Sequence, residues 1–145
     1  MPRQGLNPRQ AETVERLLVA GIEELRAGGH DALTVRTVAQ RAGVSPATAY
    51  TYLASKNHLF AELFWRHVST PDGGVADTGA TALERLQGSV RALVARINEE
   101  PELAAAVTPA LLGSDPDVAR LRLRIGGAFV ARFEAALRDP DRPGD

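Results

Sequence analysis

The 145-residue sequence predicts an all-α protein. Apolar residues recur at three- and four-residue steps in most segments, and helix-capping residues stand just ahead of those runs. No segment shows the convincing period-2 alternation of a half-buried strand.

Asn7 followed by Pro8 reads as an N-cap with proline at the first helical position, and Gln10 completes a capping box. Val14, Leu17, Leu18, Ile22 and Leu25 then form one face, with charged residues on the other, until Gly28 and Gly29 are expected to stop the helix. A second helix, roughly 34–42, is capped by Thr34 and has a small apolar face of Val38, Ala39 and Ala42. Gly43 ends it, because glycine takes the left-handed conformation without a Cβ clash. Val44 plugs the turn. Ser45 caps a third helix, roughly 45–53, with Pro46 at its first position. A fourth starts at Ser55 and turns Leu59, Phe60, Leu63, Phe64 and Val68 inward. The first helix needs a partner for its stripe, and the short helices cannot make a core alone. Residues 1–69 are therefore read as one helical domain.

Pro, Asp and Gly then cluster with almost nothing apolar, which marks 70–80 as a linker. Thr81 and Glu84 form a capping box ahead of a fifth helix carrying Leu83, Leu86, Val90, Leu93, Val94 and Ile97 on one face. Pro101 opens a sixth, in which Pro109 predicts a kink or break near Thr108. A seventh begins at Ser114–Asp117 and carries Val118, Leu121, Ile125, Phe129, Phe133 and Leu137. Gly126 and Gly127 in its middle weaken it by about 1 kcal/mol each relative to alanine, and suit a bend or the close approach of another helix or a ligand. The second domain spans 81–138, and 139–145 reads as a disordered tail.

Composition excludes several classes. There is no cysteine, hence no disulfide framework and no thiolate metal site. No apolar run approaches the ~20 residues that span a bilayer, and the N-terminus lacks the apolar core of a signal peptide. A cytoplasmic protein with no membrane contact is expected. His30, His58 and His67 are scattered without metal-ligand spacing, and the glycine pairs match no phosphate loop. No enzyme and no cofactor is expected. The net charge of −1 divides into +2 over residues 1–70 and −3 over 71–145, so the more basic half holds the two short helices.

Those helices have the layout of a helix-turn-helix, whose second helix enters the DNA major groove. Its small residues let the backbone sit deep. Pro46 and Ala47 can touch thymine methyls, and Thr48 can bond a base edge or phosphate. Ala49 is expected to pack inward. No Arg, Asn or Gln lies on this helix for a bidentate base contact, so shape, apolar contacts and Arg36 are expected to carry specificity. Tyr50 and Tyr52 point to different faces. Lys56, the only lysine, stands at a helix N-terminus, where exposed N–H groups already favour an anion. Thr34 follows the same logic, with Arg36 and Thr37 on the exposed side. Arg41 is expected in solvent, and Arg3 and Arg9 are expected to form a loose arm.

The spaced set Leu33-Thr34, Val38-Ala39, Ala42-Gly43-Val44-Ser45, Tyr50-x-Tyr52-Leu53, Ser55-Lys56 and Leu59 resembles the DNA-binding domain of the TetR-type transcriptional regulators. The resemblance covers Pro8 to Phe64. Val38 and Leu53 replace the commoner isoleucine and phenylalanine, both apolar exchanges. It implies a three-helix DNA-binding domain, with the fourth helix leading to a helical ligand-binding and dimerisation domain. It implies Tyr50 on a phosphate, Tyr52 on a phosphate or sugar, and Lys56 as a phosphate anchor. The expected DNA-binding set is therefore Thr34, Arg36, Thr37, Ser45, Pro46, Ala47, Thr48, Tyr50, Tyr52 and Lys56. The implied function is a ligand-responsive repressor that binds a palindromic double-stranded DNA operator as a homodimer.

Candidate walls for a small apolar effector are Leu86, Val90, Leu93, Val107, Leu111, Leu121, Ile125, Phe129 and Phe133, each of which also suits an ordinary core. Trp65 and His67 are expected at the junction of the halves. Family members carry further C-terminal helices that build the dimer, so the second domain reads as shortened. The alternative is a helical protein-interaction or sensor module with lost or weak operator binding.

Overall fold

The computed structural model describes residues 5–69 and 81–138. The expected linker (70–80), the expected tail (139–145) and Arg3 lie outside the described residues. The helices are α1 (Pro8–Ala32), α2 (Val35–Ala42), α3 (Pro46–Tyr52), α4 (Lys56–Ser69), α5 (Ala82–Asn98), α6 (Pro101–Leu111) and α7 (Pro116–Leu137). No strand occurs among the described residues.

The start signals act as side-chain chemistry predicts. Asn7 Oδ1 accepts the Gln10 N–H at 2.8 Å, and Gln10 accepts the Asn7 N–H at 3.0 Å. Thr34 and Thr37 exchange the same pair of bonds at 3.0 Å each. Ser45 accepts from the Thr48 N–H at 3.2 Å, Ser55 from His58 at 3.1 Å, and Asp115 from Asp117 at 3.0 Å. Thr81 and Glu84 form the third capping box, at the start of α5. Each cap satisfies a donor that the helix leaves unpaired and contributes about 1 kcal/mol.

Gly29 leaves the helical region at φ 73°, so the regular helix stops at the glycine pair as expected, and a short helical turn then reaches Ala32. Two expectations need correction. Pro109 does not break α6, which runs on to Leu111. Its ring removes one bond, the one an N–H at this position would make to the Ala105 carbonyl, and the rest of the helix is kept. Gly126 and Gly127 are exposed, and a Cβ built on either meets nothing within 4 Å among the described residues. No helix approaches them there.

One apolar core runs through both halves. It begins with Val14, Leu17, Leu18 and Leu25 of α1, takes in Val38, Ala39, Ala49 and Leu53, and continues through α4 to Leu93, Leu103, Val107 and Ile125. A smaller cluster joins Ala61 to Val118 and Leu121. The α4 helix packs against α1, α5, α6 and α7, and α5 packs along α7. The α5 stripe is largely uncovered: Leu93 is buried, whereas Leu83, Val90 and Val94 are 62%, 41% and 50% exposed.

Leu17 is fully buried and Leu123 is 77% exposed. Leu17→Ala is expected to lower the unfolding free energy in urea by about 2–5 kcal/mol. Leu123→Ala is expected to change it by no more than about 0.5 kcal/mol.

Candidate nucleic-acid interface

The turn between α2 and α3 is fixed from several directions. Gly43 takes φ 70°, which lets its N–H reach the Gln40 carbonyl at 3.2 Å while the Val44 N–H reaches Ala39 at 2.9 Å. Val44 is half-buried against the core. From α1, Arg16 Nη2 donates to the Ala42 carbonyl at 2.6 Å, taking one of the acceptors that the end of α2 leaves free. No local pattern signals this bond, because 26 residues separate its partners.

Packing decides which face of α3 is presented. Ala49 and the following Leu53 are fully buried. Ala47, Thr48, Tyr50 and Thr51 face outward, with Tyr50 51% exposed. Pro46 and Tyr52 are half-buried, and Tyr52 packs against the core. The two tyrosines therefore differ: Tyr50 offers its phenol to a partner, while much of the Tyr52 ring is held by the protein. Thr48 Oγ1 accepts from the Ser45 hydroxyl at 2.9 Å, and the Thr51 hydroxyl donates to the Ala47 carbonyl at 3.1 Å.

Thr34 and Arg36 are exposed, and Thr37 is half-buried with its hydroxyl donating to the Thr34 carbonyl at 2.9 Å. Lys56 is the first residue of α4 and holds its ammonium 5.8 Å from the centroid of the Phe60 ring. Arg9 is exposed in the first turn of α1. Arg41 is exposed as expected and pairs at the surface with Glu24 at 2.7 Å and Glu23 at 3.8 Å. The Glu24 hydrogen bond, followed by the charges of both carboxylates, raises its pKa.

The α3–α4 turn is tied to the far half of the chain. The Ser55 hydroxyl donates to Asp115 Oδ2 at 2.8 Å, so one serine caps α4 and bonds the residue that caps α7. The Ser55 hydrogen bond, then the Asp117 backbone N–H, holds the Asp115 carboxyl below its ordinary range. His58 Nδ1 accepts the Ala54 N–H at 3.0 Å, which leaves the ring proton on Nε2, 3.4 Å from Glu62. Sequence reasoning singled out neither Asp115 nor Glu62 for these roles.

The proposed effector-lining residues are spread through the bundle. Leu93, Val107 and Ile125 are buried in the main core, with Leu111, Phe129 and Phe133 packed on it. Leu121 belongs to the smaller cluster, Leu86 is half-buried, and Val90 faces outward. Trp65 lies beside Val118 and Leu121 with the Arg124 guanidinium 5.6 Å from its ring. His67 and Arg96 exchange bonds across the α4–α5 junction: the imidazole Nε2 to the Arg96 carbonyl at 2.5 Å, and Arg96 Nε to the His67 carbonyl at 3.0 Å. Both residues sit at the junction. Among the described residues, no three His, Asp or Glu side chains converge as metal ligands, and no helix is long and apolar enough to cross a membrane.

A short outward-facing helix on a capped turn, joined by one buried helix to a helical bundle, defines a helix-turn-helix regulator fold. The family described as "Bacterial regulatory proteins, tetR family" matches residues 17–63. An uncharacterized HTH-type transcriptional regulator of Mycobacterium tuberculosis is 42% identical over 140 residues, covering 95% of this chain and 65% of that protein. The HTH-type transcriptional repressor KstR of Mycolicibacterium smegmatis is 30% identical over 139 residues, covering 94% and 68% respectively. The fold matches the crystal structure of a TetR transcriptional regulator from a Rhodococcus species with a TM-score of 0.75, at 22% identity, over 95% of this chain and 74% of that one. The chain belongs to the tetR family of bacterial regulatory proteins. It spans 65% of the length of the mycobacterial relatives it matches at 42% identity.

Acid should act on the Ser55–Asp115 tie. A carboxyl whose pKa is lowered on folding contributes stability above its unfolded pKa, and loses that contribution as pH falls through the folded value. Asp115 and Glu100 are both lowered, from ordinary values of 3.8 and 4.5. The melting temperature is expected to fall between about pH 5 and about pH 3, and Asp115→Asn should make that fall shallower.

Proposed function

We propose that this chain acts in the cytoplasm as a transcriptional repressor that binds a palindromic DNA operator as a homodimer and responds to a small apolar effector. The carrying observation is the division of α3, with Ala49 and Leu53 buried and Ala47, Thr48 and Tyr50 outward. Thr34 at the start of α2, with Arg36 and Thr37, and Lys56 at the start of α4 are the polar groups assigned to the DNA backbone in this reading. In this reading Ser45, Pro46, Ala47 and Thr48 approach the major groove. Tyr50, Tyr52, Lys56 and the α2 N-terminus hold phosphates. Tyr52 reaches the backbone only by its hydroxyl end, because its ring packs on the core. The name repressor carried by KstR supports the sign of regulation.

The exposed apolar side chains of α5 and α7 support association. Leu83, Val90 and Val94 lie on α5, and Leu123, Val130 and Leu137 on α7, all more than 40% exposed. Large exposed apolar faces mark interaction surfaces. The same observation favours a second reading, a helical interaction module whose operator binding is weak or lost. The effector is assigned to the bundle side chains around Leu93, Val107, Leu111, Ile125 and Phe129, whose apolar character suits a hydrophobic small molecule.

Mobility shift against DNA from upstream of its own gene tests the leading reading. Specific binding should weaken steeply between about 50 and about 200 mM salt, and Lys56→Ala should reduce the slope of log K against log salt by about 1. Binding no tighter than to competitor DNA for every upstream fragment would defeat the proposal. Sedimentation separates the two readings. A dimer at micromolar concentration is expected, whereas a strict monomer favours the interaction module, because two half-sites need two heads at fixed spacing.

A further inference from the structure

A cavity of about 220 Å³ opens where α1, α4 and the α5–α6 corner meet. Leu18, Val19, Ile22 and Leu63 make an apolar wall. Arg26, Arg66, His67 and Glu100 make the polar end. None of the bundle side chains assigned above to the effector lines it. Val19 is 38% exposed in the middle of α1, an apolar side chain facing an opening rather than a partner.

The polar end is built to hold carboxylates. Arg26 grips Glu100 with two nitrogens, Nε at 3.3 Å and a closer Nη2 contact. Arg66 pairs with Glu15 at the rim. Both guanidiniums already hold a carboxylate, Arg26 that of Glu100 and Arg66 that of Glu15, so a ligand's carboxylate enters by exchange. His67 Nε2 is directed at the Arg96 carbonyl, which leaves the guanidiniums as the groups that select the ligand.

We propose that this cavity binds a small amphipathic monocarboxylate, with its apolar body against Leu18, Val19, Ile22 and Leu63 and its carboxylate on Arg26 in place of Glu100. A guanidinium fork matches a carboxylate in a plane, which an ammonium or hydroxyl cannot reproduce. The apolar wall disfavours a fully hydrated acid such as acetate. A cavity of about 150 Å³ takes benzene, so this one suits a ligand of about eight or nine heavy atoms. The Arg26–Glu100 pair joins α1 to the residue that precedes α6, and the bound ligand releases that join. Binding here does not require that the chain bind DNA, and it is measured directly.

The test is a nuclear magnetic resonance titration of the 145-residue chain with hexanoate, read at the Val19 and Leu63 methyls. Saturable shifts with Kd on the order of 1 mM are expected for a ligand of this size. 1-Hexanol and hexylamine should bind at least about tenfold more weakly. Arg26→Ala should weaken hexanoate about tenfold, and Glu100→Gln should tighten it severalfold by neutralising the competing carboxylate. Val19→Trp should fill the space and abolish the shifts at Leu63. The Arg26 side chain is 59% exposed, so its variant keeps the test valid where the tryptophan alters folding. The proposal is overturned by no saturation at about twentyfold the expected Kd, by equal binding of hexanol, or by unchanged affinity in a folded Arg26→Ala variant.

Discussion

Six consecutive residues of α4, Leu59 to Phe64, are buried. A helix resting on one surface buries a stripe and leaves the rest in water. One buried on every side must have partners all round, and α4 finds them in α1, α5, α6 and α7. The rest of the architecture follows from that constraint. The apolar wall of α1 closes against α4 together with α2 and α6, and α5, α6 and α7 close on the same α4 helix. Glu62 lies within this run at 9% exposure with His58 beside it, so even the charged position is answered internally. The head and the bundle therefore share one core and cannot shift past each other without disturbing α4.

The helix-turn-helix itself has little intrinsic stability. The α2 and α3 helices have eight and seven residues, lengths at which an isolated helix in water does not hold. They persist because both ends of each are satisfied and one face of each is buried. Thr34, Ser45 and Gly43 treat the termini, Arg16 closes the end of α2, and Ala49 and Leu53 sit in the core. The cost of that economy is a small exposed face. Ala47, Thr48, Tyr50 and Thr51 are most of what α3 presents, and the Thr51 hydroxyl is already turned to its own backbone.

Local chemistry was legible in the sequence; long-range chemistry was not. Asn7 with Gln10, Thr81 with Glu84, and Gly43 all act within a few residues of themselves, so their roles could be read from spacing. The inward face of α4 was legible for the same reason. Arg16 with Ala42, Ser55 with Asp115, and Arg26 with Glu100 bridge 26, 60 and 74 residues, and no pattern in the chain pairs them. Periodicity also cannot say whether a stripe is covered. The α5 stripe looks as apolar as that of α1, yet Leu83 is 62% exposed and Leu17 is fully buried. Nor could spacing show that Tyr52 turns toward the core while Tyr50 turns away, because that depends on what α3 packs against.

The polar ties at the two ends of α4 add a local resistance to movement beside that of the shared core. At its N-terminus Ser55 bonds Asp115, and at its C-terminus His67 and Arg96 exchange bonds, with Arg26 and Glu100 beside them. A tilt of α4 relative to the bundle must break ties at one end, and each hydrogen bond is worth about 1 kcal/mol net. Breaking one end therefore costs on the order of 1–3 kcal/mol, the range over which regulatory ligands ordinarily couple two sites. A ligand moves such an equilibrium only through a difference in affinity between the two arrangements. A ligand in the proposed cavity at the C-terminal end would meet that condition. The cavity is lined by α1, α4 and Glu100 together, so its shape cannot survive a tilt that separates them.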